Sequence, residues 1–261
     1  SPDRAINNAG FHMDFYLDHF GNGYNRLSRY GEWGSEAVFN PNGKGDVKAF
    51  ADEYLPAYER SKNNGYISYM TNNHDMPRIT AYLDKKAIKL FNAFIFTMPG
   101  VPFLYYGDEL GMRYQKDLVS KEGGFSRTGS RTPMQWNSEK NLGFSTSDKP
   151  YLPVDKSTDA PTVENQQNDE ESIYKVVTDI IALRHKYDDL KGNGDLEFVY
   201  EDGKIPFFYK RGGLVMFFNP LGVDSEIKTN YCGEKIYELG NTEFTDGKIK
   251  MSPQSFVMIK L

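Results

Sequence analysis

Apolar and polar positions in the first part of the chain follow two alternating periods. Over residues 46–60 the apolar side chains recur at helical spacing, and Gly65 ends the polar stretch that predicts where this helix stops. Residues 66–70 have the aromatic and β-branched composition of a strand, residues 85–97 return to helical spacing, and residues 101–106 predict a second, buried strand. The order strand, helix, strand predicts a parallel α/β sheet.

The pattern changes twice in the second part of the chain. Residues 111–170 contain glycine, including Gly123-Gly124, with proline and small polar residues and no sustained period. A loop of that length inside a compact protein is usually functional. Residues 172–190 predict a helix with one apolar stripe, closed by Gly192.

Short strands separated by Asp-Gly and Gly-Gly turns are predicted after this helix, at residues 196–200, 205–210, 214–218, 235–239 and 255–261. We therefore expect two domains, residues 1–192 and residues 193–261. In the second domain, apolar side chains alternate as the core positions of a β-sandwich do, at Phe198, Phe208, Val215 and Phe217. This antiparallel β domain is expected to have a mainly structural role.

Composition narrows the possible partners. The 31 basic and 36 acidic residues give a net charge of -5, and both signs are interspersed along the chain. This argues against nucleic acid and against an anionic membrane surface. Aromatic residues reach 15% of the chain, and their flat faces suit sugar rings, although most of them are expected to form the core.

Cysteine and histidine content predicts neither a disulfide nor a metal site. Cys232 has no partner cysteine, and the four histidines are scattered without zinc-binding spacing. No apolar run is long enough to cross a bilayer. The chain starts without an initiator Met or a signal-peptide core, which leaves room for a true start further upstream and leaves localisation open, with the cytoplasm favoured over secretion.

One polar segment follows the first predicted strand directly, at the position where catalytic groups collect in a barrel of parallel strands. It contains Asn73-His74-Asp75 and ends in Arg78. A carboxylate there can accept hydrogen bonds from two sugar hydroxyls while an imidazole donates to one of them, which favours an oxocarbenium-like transition state. From the residues alone, a helix-capping aspartate in a turn is an equally good interpretation.

This segment resembles the fourth conserved region of the α-amylase family, glycoside hydrolase family 13, where strand seven of the barrel ends in Asn-His-Asp. The resemblance implies that Asp75 is the third carboxylate of the active site and that His74 stabilises the transition state beside it. Asn73 and Arg78 would then be substrate-binding residues.

Two further motifs resemble the same family in the same order. Residues 98–112 are similar to the strand-eight segment, which implies that Tyr106 binds substrate and that Asp108 and Glu109 brace the floor of the sugar site. Residues 130–137 resemble the Arg-Thr-Pro-Met-Gln-Trp motif of oligo-1,6-glucosidase and α-glucosidase relatives, which assigns Arg131 to substrate binding and favours short oligosaccharides.

The family pattern is incomplete. Retaining hydrolysis needs a nucleophilic carboxylate and an acid carboxyl, and in family members both precede the Asn-His-Asp region. Residues 10–16 resemble strand six, so both partners are expected upstream of Ser1. Glu32 is the one acid candidate in the chain, but its glycine-rich surroundings predict a surface loop, and Asp14 is expected to have a structural role.

The preferred interpretation is the last three strand-helix units of a (β/α)8 TIM barrel, followed by a C-terminal antiparallel β-sandwich domain. The parent would be a retaining glycoside hydrolase or transglycosidase acting on α-glucan or on malto- and isomalto-oligosaccharides. No cofactor is expected, and calcium in the parent enzyme is not predictable here. The alternative is a non-catalytic carbohydrate-binding or scaffold relative. An incomplete barrel is expected to self-associate or to need a complementing N-terminal segment.

Overall fold

The computed structural model of the chain describes residues 1–121, 126–200 and 205–261. The predicted Gly123-Gly124 pair and the Asp202-Gly203 turn lie outside the described residues. Within the described residues the α-helices are α1 Arg4–Ala9, α2 Gly23–Ser28, α3 Val47–Ser61, α4 Lys85–Thr97, α5 Val163–Gln167 and α6 Ile173–Lys186. Short 3-10 helices cover Glu32–Gly34, Ile79–Ala81, Asp108–Leu110, Ser126–Ser130, Lys140–Gly143 and Asp188–Leu190.

The strands form three sheets. The strands are β1 Met13–Phe15, β2 Tyr66–Ser68, β3 Glu197–Val199, β4 Phe207–Arg211, β5 Leu214–Asn219, β6 Ser225–Lys228, β7 Glu234–Leu239, β8 Thr242–Thr245, β9 Lys248–Met251 and β10 Ser255–Lys260. β1 and β2 form a small parallel sheet, an antiparallel sheet has the order β3-β4-β5-β10-β7, and another has the order β6-β9-β8. The fold is therefore a mixture of helices with parallel and antiparallel strands.

The parallel part of the chain is shorter than its sequence pattern predicts. β2 ends at Ser68, and the predicted strand over residues 101–106 is reduced to one parallel bridge between Met70 and Phe103. The expectation that this second strand is buried was wrong, since Phe103, Leu104 and Tyr106 each leave more than a third of their surface exposed. Inside the described residues, no further strand covers this side.

The three long predicted helices form at the predicted places because each begins at a capping side chain. The Asp84 carboxylate accepts from Ala87 N at 2.8 Å at the start of α4, and Ser172 Oγ accepts from Lys175 N at 2.9 Å at the start of α6. α6 ends at Lys186, several residues before the predicted glycine stop. The short helices α1, α2 and α5 were not predicted, because six residues or fewer carry little periodicity.

Aromatic rings form the shared core between the helices and the five-stranded sheet. Phe94 of α4 contacts Phe207 and Phe218 edge-on, with ring centroids 6.1 and 6.0 Å away. Both strand residues and Phe94 itself are almost completely buried. This confirms that much of the aromatic content serves packing, as expected.

Two buried arginines also join the helices to the sheet. Arg184 of α6 donates to the carbonyls of Phe96 at 2.8 Å and Met98 at 2.9 Å, just beyond the middle of α4 and at its end. Arg211 of β4 donates to the carbonyls of Thr97 and Asp195, both at 2.7 Å. Burial lowers the pKa of the Arg184 guanidinium to about 10.

A second apolar core lies between the two antiparallel sheets. Phe208, Val215 and Phe217 belong to it, as the alternation predicts. Phe198 was placed in the same core by prediction and is instead stacked on Phe207 in the core shared with the helices, with centroids 5.5 Å apart. Strands β6, β8 and β9 were not predicted, because their outward faces are polar and interrupt the apolar pattern.

Candidate active site

The Asn-His-Asp segment lies where two parallel segments of chain end side by side. Phe103 N donates to the Tyr69 carbonyl at 2.7 Å, and Thr71 N donates to the Phe103 carbonyl at 2.9 Å. Beyond these bonds the chain turns at His74 and Asp75 and enters the 3-10 helix Ile79–Ala81. The carboxyl ends of these parallel strands therefore carry both predicted catalytic residues.

The Asp75 carboxylate is held from one side and open on the other. Oδ1 accepts from Arg127 Nη1 at 2.7 Å and from Arg131 Nη2 at 3.1 Å. Nearly half of the side chain, 48%, remains exposed to solvent. The Arg127 hydrogen bond lowers the pKa of Asp75, helped by the charges of His74 and Arg127 and by Arg131. The group is therefore an ionised acceptor at neutral pH.

His74 lies beside the second oxygen of this carboxylate. Its Nε2 is 3.3 Å from Asp75 Oδ2, and its side chain is 61% exposed. Arg131 Nε donates to the His74 carbonyl at 3.0 Å, and Asn73 Oδ1 accepts from Asp75 N at 2.8 Å. These bonds fix the backbone of the triplet while both ring and carboxylate face outward.

A buried ion pair lies beneath the triplet. Arg78 Nη1 donates to Asp108 Oδ1 at 2.9 Å and to the Tyr106 carbonyl at 2.8 Å. Thr71 Oγ1 donates to Asp108 Oδ2 at 2.7 Å. Both charged side chains are buried, so neither faces solvent. Burial raises the pKa of the Asp108 carboxyl, and the Arg78 guanidinium and the Thr71 hydroxyl oppose that rise.

Aromatic rings and a third carboxyl complete the floor. The Arg78 guanidinium lies 4.9 Å from the Tyr106 ring centroid, and Tyr106 Oη donates to the Thr132 carbonyl at 2.7 Å. Glu109 is partly buried, and burial raises the pKa of its carboxyl, with the nearby Asp108 charge acting in the same direction. The structure thus brings together every site residue that the resemblance indicated, with Asp75, His74 and Asn73 on top and Arg78, Asp108 and Tyr106 below.

Arg127 is the site residue that the sequence did not identify. It reaches Asp75 from the 3-10 helix Ser126–Ser130, 52 positions along the chain. The available signal was a basic residue in a long loop of predicted functional character, four positions before Arg131. The two other acidic candidates have different surroundings: Asp14 Oδ2 accepts from Ala5 N at 2.9 Å, and Glu32 is exposed in a short 3-10 turn.

Metal and membrane features were searched over the described ranges. No group of three or more His, Cys, Asp or Glu side chains in them is arranged to hold a metal ion. None of the helices there combines the length and the apolar composition needed to span a bilayer.

Comparison with known proteins identifies the class to which this fold and site belong. The structure superposes on a crystal structure of the MutB enzyme soaked with trehalulose with a TM-score of 0.73 at 18% identity, covering 83% of this chain and 47% of that one. At that identity the likeness shows a shared fold. A family model described as the α-amylase catalytic domain matches residues 6–193, so the chain belongs to the α-amylase family.

Curated relatives differ in what their names state. A probable oligo-1,6-glucosidase 2 from Bacillus subtilis is 32% identical over 190 residues, covering 59% of this chain and 33% of that protein. The amino acid transporter heavy chain SLC3A1 from Homo sapiens is 29% identical over 126 residues, covering 48% of this chain and 18% of that protein. The chain therefore spans a third or less of the length of these relatives.

Proposed function

We propose that this chain is the active-site part of a retaining glycoside hydrolase or transglycosidase that acts on α-glucosidic bonds of oligosaccharides or polysaccharides. The observation that carries the proposal is the exposed Asp75–His74 pair at the carboxyl ends of parallel strands. In this proposal residues 1–192 supply the last three strand-helix units of a (β/α)8 barrel, and residues 193–261 form its C-terminal β domain. The MutB likeness and the parallel pairing of β1 with β2 support it.

Asp75 acts by binding sugar hydroxyls more strongly as the ring flattens. Its pKa lies below the ordinary value, so it offers only acceptor oxygens at neutral pH. The two arginines share Oδ1, which leaves acceptor capacity on Oδ2 for hydroxyl donors. His74 Nε2, 3.3 Å from Oδ2, can donate to one of the same hydroxyls. Such bonds strengthen toward an oxocarbenium-like transition state.

The surrounding residues have separate roles in the proposal. Asn73, Tyr106 and Arg131 line the sugar site, since each contacts the triplet or the floor directly. Arg78 and Asp108, with Glu109 beside them, hold that floor in place. A buried ion pair with an additional hydroxyl donor is suited to this because breaking one partner leaves an uncompensated charge. The active-site geometry then depends on the pair remaining intact.

The nucleophile and the acid come from another segment in this proposal. Asp14 is engaged by a backbone amide of α1, and Glu32 stands on a solvent-exposed turn. Neither is paired with a second carboxyl in the way that a retaining mechanism needs. Calcium or another cofactor has no assigned role here, and the proposed substrates are malto- or isomalto-oligosaccharides, with long α-glucan as the other candidate.

A second candidate function is a non-catalytic carbohydrate-binding or scaffold protein that retains the family fold. The likeness to the SLC3A1 heavy chain favours it, because that protein is named as part of an amino acid transporter. The two functions differ in whether the gene product carries an aspartate and a glutamate at the two barrel strand ends that precede the Asn-His-Asp region. Their replacement by other residues would favour the non-catalytic function.

The proposed function is tested by kcat in the complete gene product. Asp75→Asn keeps the shape but removes a charged acceptor used in the transition state, so kcat should fall roughly a hundredfold with little change in KM. Glu32→Gln is the matched control and should leave kcat nearly unchanged. An inactive Glu32 variant beside a normal Asp75 variant would contradict the proposed role of this site.

A further inference from the structure

The loop after β1 presents an exposed aromatic side chain on an unusual backbone. Trp33 lies in the 3-10 turn Glu32–Gly34 with a φ of 51°, in the left-handed region that bulky residues rarely adopt. Its side chain is 53% exposed, while Glu36 N donates to the Tyr30 carbonyl at 3.0 Å and closes the loop beneath it. Backbone outliers of this kind persist where the surroundings enforce them, and they cluster at ligand-binding sites.

Trp33 has polar and aromatic neighbours that suit a sugar ring. Its ring centroid is 6.2 Å from that of Tyr82, and the Lys116 ammonium lies 4.2 Å from the Trp33 centroid. The buried Gly34 packs on the Tyr82 backbone so closely that an added Cβ would lie 3.1 Å from Tyr82 O. The loop therefore holds a flat apolar surface beside a cationic donor, the combination that binds an apolar sugar face and its hydroxyl rim.

This surface adjoins the Asp75 site through direct contacts. The Arg29 guanidinium lies 5.7 Å from the Tyr82 ring centroid, and its Nη2 donates to the Thr71 carbonyl at 3.1 Å. The same nitrogen is 3.4 Å from Asn72 Oδ1, three residues before Asp75. Trp33, Tyr82 and Lys116 stand on three different loops, each following one of the parallel segments at the end where Asp75 lies.

We infer that Trp33, Tyr82 and Lys116 form a stacking subsite for a second glucosyl ring of the oligosaccharide bound at Asp75. This inference rests on the proposed function for the identity of the ligand. Trp33 supplies the stacking face, Tyr82 supports the loop that presents it, and Lys116 moves from the ring face to donate to hydroxyls at its edge. The subsite thereby selects substrates of at least two glucose units.

The chain contains two tryptophans, Trp33 and Trp136, so each can serve as a sole fluorescent reporter. Trp136 is 49% exposed, and this makes it a matched control for Trp33. In the Trp136→Phe variant, titration with maltotriose should change the emission of Trp33 saturably, and glucose should do so about tenfold more weakly. In the Trp33→Phe variant, the emission of Trp136 should not respond.

The outcomes decide the inference in either direction. A saturable maltotriose response from Trp33, weakened about tenfold by adding Lys116→Ala, supports the subsite. No saturable response from Trp33, or an equal response from both reporters, overturns it. Circular dichroism of both single-tryptophan variants checks that each remains folded, and Trp33→Tyr, which keeps a stacking ring, should retain maltotriose affinity by calorimetry whereas Trp33→Leu should lose about tenfold.

The failure of this inference is distinguishable from failure of the proposed function. Adding Asp75→Asn to the Trp136→Phe variant should leave most of the Trp33 response, because stacking does not use the carboxylate. A Trp33 response in a protein whose kcat ignores Asp75→Asn would support the subsite and contradict the catalytic role. A large loss of kcat in Asp75→Asn without any Trp33 response would do the reverse.

Discussion

The two sheet systems of this protein bury their apolar faces to very different extents. All six residues of β5 and five of the six in β10 are buried between or beside neighbouring strands. In the parallel part, Phe103, Leu104 and Tyr106 remain more than a third exposed, although their sequence is equally apolar. The β domain therefore completes its own core, whereas the parallel part has an apolar side that its own described strands do not cover.

This difference separates stability from chemistry. The candidate catalytic residues lie at the end of the incompletely covered part, and the residues that dominate packing lie at the junction of the helices with the five-stranded sheet. Parallel strands are usually covered on both faces. We therefore expect the site to acquire its working geometry when a complementary surface covers the parallel part, and we expect the β domain to be insensitive to that event.

The largest expected effect is at the shared core. Phe218→Ala removes a fully buried ring that contacts Phe207 at 5.2 Å and Phe256 at 4.7 Å, which should lower the free energy of unfolding by about 3–5 kcal/mol. Urea denaturation measures this loss. Phe20→Ala removes an 86% exposed ring and should change stability by about 0.5 kcal/mol or less. Equal losses in the two variants would remove the distinction between the regions.

A smaller effect is expected on the exposed apolar side. The chain alone should self-associate and bind an apolar dye, since a surface of this kind favours association. Leu104→Lys places a charge there and should weaken self-association about tenfold with little change in unfolding free energy. Sedimentation velocity measures the association. A chain that stays monomeric at high concentration, without dye binding, would show that this surface is satisfied as it stands.

The smallest expected effect is on the titration of Asp75. Its pKa lies below the ordinary value, so the folded state favours the ionised form. The resulting stabilisation is present above about pH 4 and is lost as the pH falls through the folded pKa. Arg127→Ala should raise the pKa of Asp75 toward its ordinary value, as followed by NMR of the side-chain carboxyl carbon. An unchanged pKa would mean that Arg127 does not hold the carboxylate in solution.

Sequence reasoning recovered what local patterns encode. The helices α3, α4 and α6 follow from apolar spacing and capping side chains, and the Asn73-His74-Asp75 triplet follows from its position after a strand. Arg127 could not be predicted, because its contact with Asp75 spans 52 residues and depends on how the long loop folds. The exposure of Phe103 was equally unpredictable, since an apolar strand pattern does not state whether its neighbours are present.

Phe198 illustrates a limit of alternation arguments. Its strand β3 has only three residues, so the face that each side chain occupies depends on register with β4, where Phe198 pairs with Tyr209. That register directs Phe198 toward the helices, while Phe208 of the next strand points into the sandwich. A shift of one residue exchanges the two faces of a strand, and nothing local in the sequence fixed this register.

The most direct test of the account is turnover by the 261-residue chain alone. The account assigns it the transition-state-stabilising Asp75 but neither nucleophile nor acid, so an aryl α-glucoside and maltooligosaccharides should show no hydrolysis above background. Adding a segment that supplies the preceding barrel strands should restore activity. Hydrolysis by the isolated chain that disappears in Asp75→Asn would contradict the account, because a complete set of catalytic carboxyls would then lie within these residues.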